Sequence, residues 1–215
     1  MYDLIILGAG GTGREICEMC EEVFDIKHYR IKGFLSDVLD VLDNFDIGYP
    51  MLGTIRDYKV QENDRFIFAI GDVQGRRKIA ESILERGGKF INFIHPSAKI
   101  SPSAKIGQGV IIFPFAYVGA NADVGDFCFI NLHAACGHDV KLGAFSEQAP
   151  YSAVAGGVQT GEECFFALHA VAGPKVILGN RVVISQGSVT QKNQPDDSVI
   201  VGVPGKTLRK IGNMF

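Results

Sequence analysis

From Ile94 to Val189 the apolar residues of this chain recur at every sixth position without a slip. The rows read IHPSAK, ISPSAK, IGQGVI, IFPFAY, VGANAD, VGDFCF, INLHAA, CGHDVK, LGAFSE, QAPYSA, VAGGVQ, TGEECF, FALHAV, AGPKVI, LGNRVV and ISQGSV. The first place in each row is apolar except at Gln148 and Thr160, the second is mostly Gly, Ala, Ser or Asn, and the fifth is always Ala, Val, Cys or Ser. A fixed period held over this length is a structural repeat. A half-buried strand would alternate with period two and a helix with period 3.6, and neither fits. A large apolar side chain every six residues, with a small one four places later, suits a coil that bends at regular corners around a narrow core. Gly and Asn are permissive where such corners strain the backbone. Each row holds one short strand, and stacking at about 4.8 Å completes the hydrogen bonds of its neighbours. The pattern predicts a parallel β-helix.

Residues 1–93 follow another rule. Asp3–Leu7 is a buried-strand run, followed by Gly8-Ala9-Gly10-Gly11-Thr12-Gly13 and a helix over Arg14–Phe24 with Ile16, Met19, Cys20, Val23 and Phe24 on one face. Further strands are expected at Ile31–Leu35, Arg65–Ile70 and Phe90–Ile94, a helix from about Gln74 to Arg86, and a loop or broken helix over Asp40–Leu52. Strands alternating with helices imply a small parallel sheet. The glycine loop matches G-x-G-x-x-G between a strand and a helix, an arrangement that offers backbone N–H groups to a phosphate. The span holds only half of a dinucleotide fold, so a mononucleotide or nucleotide-sugar fits it better.

Composition narrows the function classes. The 215 residues carry a formal charge of −3, which gives no reason to expect nucleic-acid binding. No apolar run reaches membrane-spanning length and no signal-peptide pattern opens the chain, so a cytoplasmic protein without membrane insertion is expected. Cys128 and Cys164 occupy small inward places of the repeat and Cys136 a large one, as core thiols would. Cys17 and Cys20 form a C-x-x-C, but they fall inside a helix rather than at its N-terminus, and no second pair exists to complete a zinc site. Packed thiols are expected there.

Together these features carry a resemblance across essentially the whole chain. The hexapeptide run resembles the hexapeptide-repeat acyltransferases, whose fold is a left-handed β-helix with three rows per coil. That implies about five coils here, with residues 18 apart stacked on one face; the hand comes from the resemblance alone. GAGGTGREI, FLSD, AIGD, HPSAKISPSA, the hexapeptide run and VGVPGK, in that order, are similar to the bacterial N-acetyltransferases of UDP- or dTDP-linked amino-deoxysugars. The sialic acid O-acetyltransferases share the layout. The expected domains are a Rossmann-like nucleotide-sugar-binding domain at 1–93, a left-handed β-helix acetyltransferase domain at 94–190 and a tail at the coenzyme A site at 191–215.

The resemblance implies roles residue by residue. In Asn131-Leu132-His133-Ala134-Ala135-Cys136-Gly137-His138-Asp139, His138 is the expected general base and Asp139 its orienting carboxylate, with Asn131 at the substrate. An imidazole titrates near working pH, which suits the task. Relatives carry a second histidine where this chain has Glu147, which would face the sugar or amine instead and leaves the choice between N- and O-acetylation open. Gly156 and Gly157, 18 residues beyond His138 and Asp139, are expected to support the thioester oxygen. Gly173, Gln186, Gly187, Lys192, Pro204 and Lys206 border the expected coenzyme A groove. The basic end of the chain, which also includes Lys175, Arg181, Arg209 and Lys210, suits the cofactor's phosphates. Gly8, Gly10, Gly11, Gly13, Asp37, Gly71, Asp72 and Arg76 are the nucleotide-side candidates. Relatives are homotrimers with the pantetheine arm between subunits, and the same is expected here, with the N-terminal domain presenting the sugar amine to His138 across a subunit interface.

Two readings from other classes stand beside this one. His133 and His138 form H-x4-H, which resembles zinc ligands of the γ-class carbonic anhydrases, but the third histidine of that pattern is missing and His95 is out of register. No metal is therefore expected. A nucleotide-sugar binding module that keeps the repeat only as scaffold is the other alternative.

Overall fold

The computed structural model describes residues 1–71 and 73–208, excluding the side chains of residues 73 and 74. The chain divides into two compact units, Met1–His95 and a second that begins at Pro96.

The first unit is a parallel sheet in the order β3-β2-β1-β4, with β1 Tyr2–Leu7, β2 Tyr29–Leu35, β3 Met51–Gly53 and β4 Asp64–Phe68. Helix α1 Gly11–Val23 connects β1 to β2, and α2 Val73–Glu85 follows β4. Leu4, Ile5, Ile6 and Leu7 are all sealed in the core, because a central strand of a parallel sheet is covered on both faces. Ile16, Cys17 and Cys20 of α1 and Ala80 and Ile83 of α2 are buried with them. The expected loop over Asp40–Leu52 ends differently: Met51 and Leu52 already belong to β3, whose Met51 pairs with Phe34. Phe90 contributes a single bridge to Phe66, and only Phe93–Ile94 forms the short strand β5. The three residues of β3, which follow Pro50 and end in Gly53, carry too little pattern to announce a strand.

The C-x-x-C of α1 is packing. Both thiols are buried, and desolvation pushes Cys17 up to about 11 and Cys20 up to about 12, far from thiolate chemistry.

The second unit is the parallel β-solenoid that the sixfold pattern predicts. Two-residue strands at the sixth and first places of each row pair with strands 18 residues away: Asp123 with Lys105 and Lys141, Phe129 with Ile111 and Glu147, Ala135 with Tyr117 and Ala153. Three parallel faces result, and three corners run along the coil axis. First-place residues such as Ile112, Val118, Ile130, Cys136 and Ile184 are fully buried, as are fifth-place Ala116, Ala122, Val140, Ser146 and Val182. Gln148 occupies a first place and is sealed in the core, where its amide donates to the carbonyl of Ala135 at 3.0 Å. Thr160 holds the other polar first place by accepting from the Gly143 N–H at 2.9 Å and donating to the Gly161 carbonyl.

The corners correct one expectation about glycine. From the third row on, the left-handed backbone at the corners falls on the fourth place, and ordinary side chains occupy most of these places: Phe115, His133, Asp139, Phe145, Tyr151, His169, Lys175 and Arg181 all have φ between 54° and 61°. Second-place glycines have another reason. A Cβ on Gly119 would stand 2.6 Å from the backbone nitrogen of His138, and one on Gly125 2.6 Å from that of Ala144. The second place is small because successive coils touch there. A C-terminal hairpin, Val199–Val201 against Lys206–Leu208, closes the described part of the unit.

Candidate functional site

One corner of the solenoid carries His138 and Asp139. It turns between the strands Ala135–Cys136 and Lys141–Leu142. At the third place His138 points away from the core, with 70% of its side chain exposed. At the fourth, Asp139 sits in the left-handed region with φ 57° and its N–H bonded to the carbonyl of Ala120. This backbone turn aims the carboxylate at its neighbour: His138 Nδ1 lies 2.7 Å from Asp139 Oδ2. The other carboxylate oxygen accepts from the side-chain amide of Asn121, one coil earlier, at 3.2 Å. Those two contacts, His138 first, hold the Asp139 carboxyl below its usual range. An ionised Asp139 is placed to accept from Nδ1, and Nε2 lies over Gly156.

The imidazole lies across Gly156. A Cβ there would run into Nε2, Cε1 and Cδ2 of the His138 ring, so the ring position depends on the missing side chain. Of the two neighbouring glycines, Gly157 gives its N–H to the His138 carbonyl at 2.9 Å and is spent. The Gly156 N–H has no acceptor among the described residues, which narrows the expected thioester contact to this one group. Gly173 continues the same corner. A Cβ on it would meet the Thr190 carbonyl at 3.2 Å and the Gln191 side chain at 3.5 Å, and exposed Lys192 follows on the next coil. Pro204, after a cis bond, and Lys206 lie exposed in the C-terminal hairpin, where the Gly205 N–H bonds the Val189 carbonyl.

Other expected residues fall elsewhere. Asn131, Gln186 and Gly187 belong to the preceding corner, on the far side of the strand Ala135–Cys136. The Asn131 side-chain Oδ1 accepts from the Leu132 N–H at 2.7 Å. Glu147 corrects the expectation most clearly. Nine residues beyond His138 is half a coil, which puts Glu147 on the face opposite the His138 corner, buried and flanked by Phe129 and Phe165. Within one chain it does not join His138. His133 also lies on the preceding corner, so the H-x4-H pair does not converge. Among the described residues no group of three His, Cys, Asp or Glu side chains could hold a metal. His133 instead stacks between Phe115 and Tyr151, with His169 beyond, at centroid spacings of 5.0, 4.9 and 5.2 Å.

In the first unit the loop glycines divide. Gly8 has φ 103°, gives its N–H to the Leu35 carbonyl, and has no room for a Cβ beside the Ala69 carbonyl. Gly13 has none either, because a Cβ would strike the carbonyl of Gly8. Both are needed to seat α1 on β1. Gly10 and Gly11 face open space at the start of α1, with no side-chain cap and no acidic residue in the first turn. Packing does not require glycine at either place, and the first-turn N–H groups are available there. Asp37 is exposed at the end of β2 and accepts from the Ile55 N–H at 3.1 Å. Gly71 is exposed at the end of β4. Arg76 is buried, and its Nε donates to the Ile70 carbonyl at 2.7 Å. It braces the strand end. Asp72, Arg209 and Lys210 lie outside the described residues.

Sequence reasoning missed Asn121. Its signal was its position, 18 residues before Asp139 and so one coil beneath it.

Comparisons with known proteins identify the fold and the family. Residues 3–83 match the family described as PglD N-terminal domain. The structure superposes on PerB of Caulobacter crescentus, crystallised with CoA and GDP-perosamine, with a TM-score of 0.86 at 30% identity, covering 97% of this chain and 98% of that one. The acetyltransferase domain of PglB from Neisseria gonorrhoeae, in complex with acetyl coenzyme A, gives 0.87 at 30% identity over 96% and 99%. The GDP-perosamine N-acetyltransferase of Escherichia coli O157:H7 is 30% identical over 143 residues, 65% of this chain and 64% of that enzyme. The chain thus spans a little under two thirds of that curated relative. Among the described residues no helix is long and apolar enough to cross a membrane.

Proposed function

From the chain's place in the family of PglD- and PerB-like nucleotide-sugar N-acetyltransferases, to which it belongs, we propose that it transfers the acetyl group of acetyl-CoA to the amine of a nucleotide-linked amino-deoxysugar. The observation that carries the reading is the His138–Asp139 pair at 2.7 Å on an open corner, with the imidazole seated on Gly156.

In this mechanism the amine nitrogen attacks the thioester carbonyl while His138 Nε2 takes its proton. The C–O double bond opens to an oxyanion, and the Gly156 N–H is placed to meet it. Collapse of the tetrahedral intermediate breaks the C–S bond. The sulfur leaves as CoA thiol with the proton from His138, and the amide remains on the sugar. A thioester is already activated, so no covalent enzyme intermediate is required. Asp139 holds the imidazole in the Nδ1–H tautomer and stabilises the imidazolium.

CoA runs along the same corner over Gly156 and Gly173, with Lys192 and Lys206 toward its phosphates and Pro204 at the rim. The nucleotide binds at Gly10, Gly11, Asp37 and Gly71. The family's site residues divide between two corners, His138, Asp139 and Gly156 on one and Asn131, Gln186 and Gly187 on the other. That division supports a homotrimer in which one copy's first corner meets its neighbour's second. Light scattering at micromolar concentration tests the assembly, and a monomer would refute it.

The test of the activity is acetyl-CoA with GDP-perosamine or a UDP-linked 4-amino-deoxysugar, read as thiol release and as the acetylated sugar by mass spectrometry. The expected product resists alkaline hydroxylamine, as an amide does. A hydroxylamine-labile product means transfer to oxygen, and no product with either sugar refutes the reading.

A further inference from the structure

The His138–Asp139 pair does not end at Asp139. The carboxylate Oδ1 accepts from Asn121 Nδ2 at 3.2 Å, and the Asn121 backbone N–H donates to Ser103 Oγ at 3.0 Å. Ser103 Oγ lies 3.2 Å from Ser101 Oγ. Ser103, Asn121 and Asp139 are 18 residues apart, so they occupy the same corner on three successive coils. Asn121 and Asp139 share the left-handed backbone, with φ 56° and 57°. The coil rise of about 4.8 Å is what a side chain of Asn length spans to reach its counterpart one coil on.

We propose that Asn121 is a positioning residue for the base, acting through Asp139. Asp139 is on an exposed corner, and a carboxylate there has a free χ rotation that can turn either oxygen toward solvent. Asn121 fixes one oxygen from below, which leaves the other in line with His138 Nδ1. The imidazole is then held in one tautomer and one orientation, with Nε2 over Gly156. Asparagine suits the place twice: it tolerates the left-handed backbone, and it is a neutral donor that does not compete with His138 for the negative charge. An aspartate at 121 would have the same shape and no donor. Ser103 anchors the Asn121 backbone from the coil beneath, so the relay is built on rigid stacked corners rather than on a loop.

The inference rests on the proposed role of His138, and a double-mutant cycle separates the two. Asn121→Gly keeps a residue that accepts positive φ and deletes only the amide. It is expected to lower kcat three- to tenfold, the order of one exposed charge-assisted hydrogen bond, with KM for acetyl-CoA unchanged. In an Asp139→Ala background the same substitution is expected to cost nothing further, because its effect passes through a carboxylate that is no longer there. Asn121→Asp, which keeps the shape, is expected to fail to restore the rate. If Asn121→Gly melts below assay temperature, Asn121→Asp carries the same comparison. Wild-type kcat in both variants, or an equal loss with and without Asp139, overturns the proposal while leaving His138 as base. Full activity of His138→Ala would remove the reading on which it rests.

Discussion

Two corners of one solenoid share a backbone and differ in their chemistry. On the corner of Phe115, His133, Tyr151 and His169 the fourth-place residues have φ between 54° and 61°, and the rings stack on one another. On the corner of Asn121, Asp139 and Lys175 the same place has φ between 56° and 61°, but the side chains are polar and His138 stands beside them. Each corner contains a histidine with an exposed ring. The first has aromatic neighbours above and below, and the second has a carboxylate on Nδ1 and bare backbone behind it. The repeat therefore supplies position, and the neighbouring residues decide whether an imidazole stacks on rings or pairs with a carboxylate.

The comparison breaks first at the histidines. His138→Ala is expected to cost 10² to 10⁴ in kcat, roughly the worth of a positioned general base. His133→Ala should keep kcat within about threefold, since substitutions away from special features are mild. Steady-state kinetics of the two variants against one nucleotide sugar decide the matter, and equal losses would dissolve the distinction between the corners.

The glycines sharpen it. Gly156→Ala places a methyl in the His138 ring and is expected to lower kcat ten- to a hundredfold by displacing it about an ångström, with little change in melting temperature. Gly187, with φ 65° on the other corner, has open space around its Cβ direction. Gly187→Ala should cost about 1 kcal/mol of stability through backbone strain alone, measured by urea unfolding.

The stacked column makes a smaller prediction. Tyr151 lies between His133 and His169, so Tyr151→Ala removes two ring contacts and should destabilise by about 1 kcal/mol in the same assay. A control away from both corners is Asp3, held below the usual carboxylate range by the hydrogen bond from Arg30, which outweighs desolvation. A depressed folded pKa means the contribution is present above the unfolded value of about 3.9 and lost as pH falls through the folded one. Asp3→Asn should therefore lower stability by less than about 1 kcal/mol at pH 7, with the difference closing as pH falls through the lowered folded value. An undiminished difference in acid would reject the ion pair as its cause.

The solenoid, its register and its core follow from the hexapeptide period alone. A period of six gives one side per row, and a bulky first place with a small fifth place leaves only one way to fill the interior. The strand, glycine loop and helix of the first unit were legible because a buried run and a helical stripe have different periods. His138 and Asp139 were singled out by resemblance, and the structure shows them in contact at 2.7 Å. Tertiary structure decided what depends on stacking between coils. Sequence placed Gly156 and Gly157 above the pair, but only coordinates show that one N–H is spent on the His138 carbonyl and that the other glycine makes room for the ring. Resemblance put Glu147 at the sugar or amine, while within one chain half a coil of travel puts it on the face opposite His138. Arg76 was one of the nucleotide-side candidates, and the structure buries it with its Nε on the Ile70 carbonyl. Asn121 had no motif, because its partner is 18 residues away in the chain and one coil away in space. Periodicity fixes which residues share a column. Which of them touch, and through which atoms, is set by rotamers and backbone approach that only packing decides.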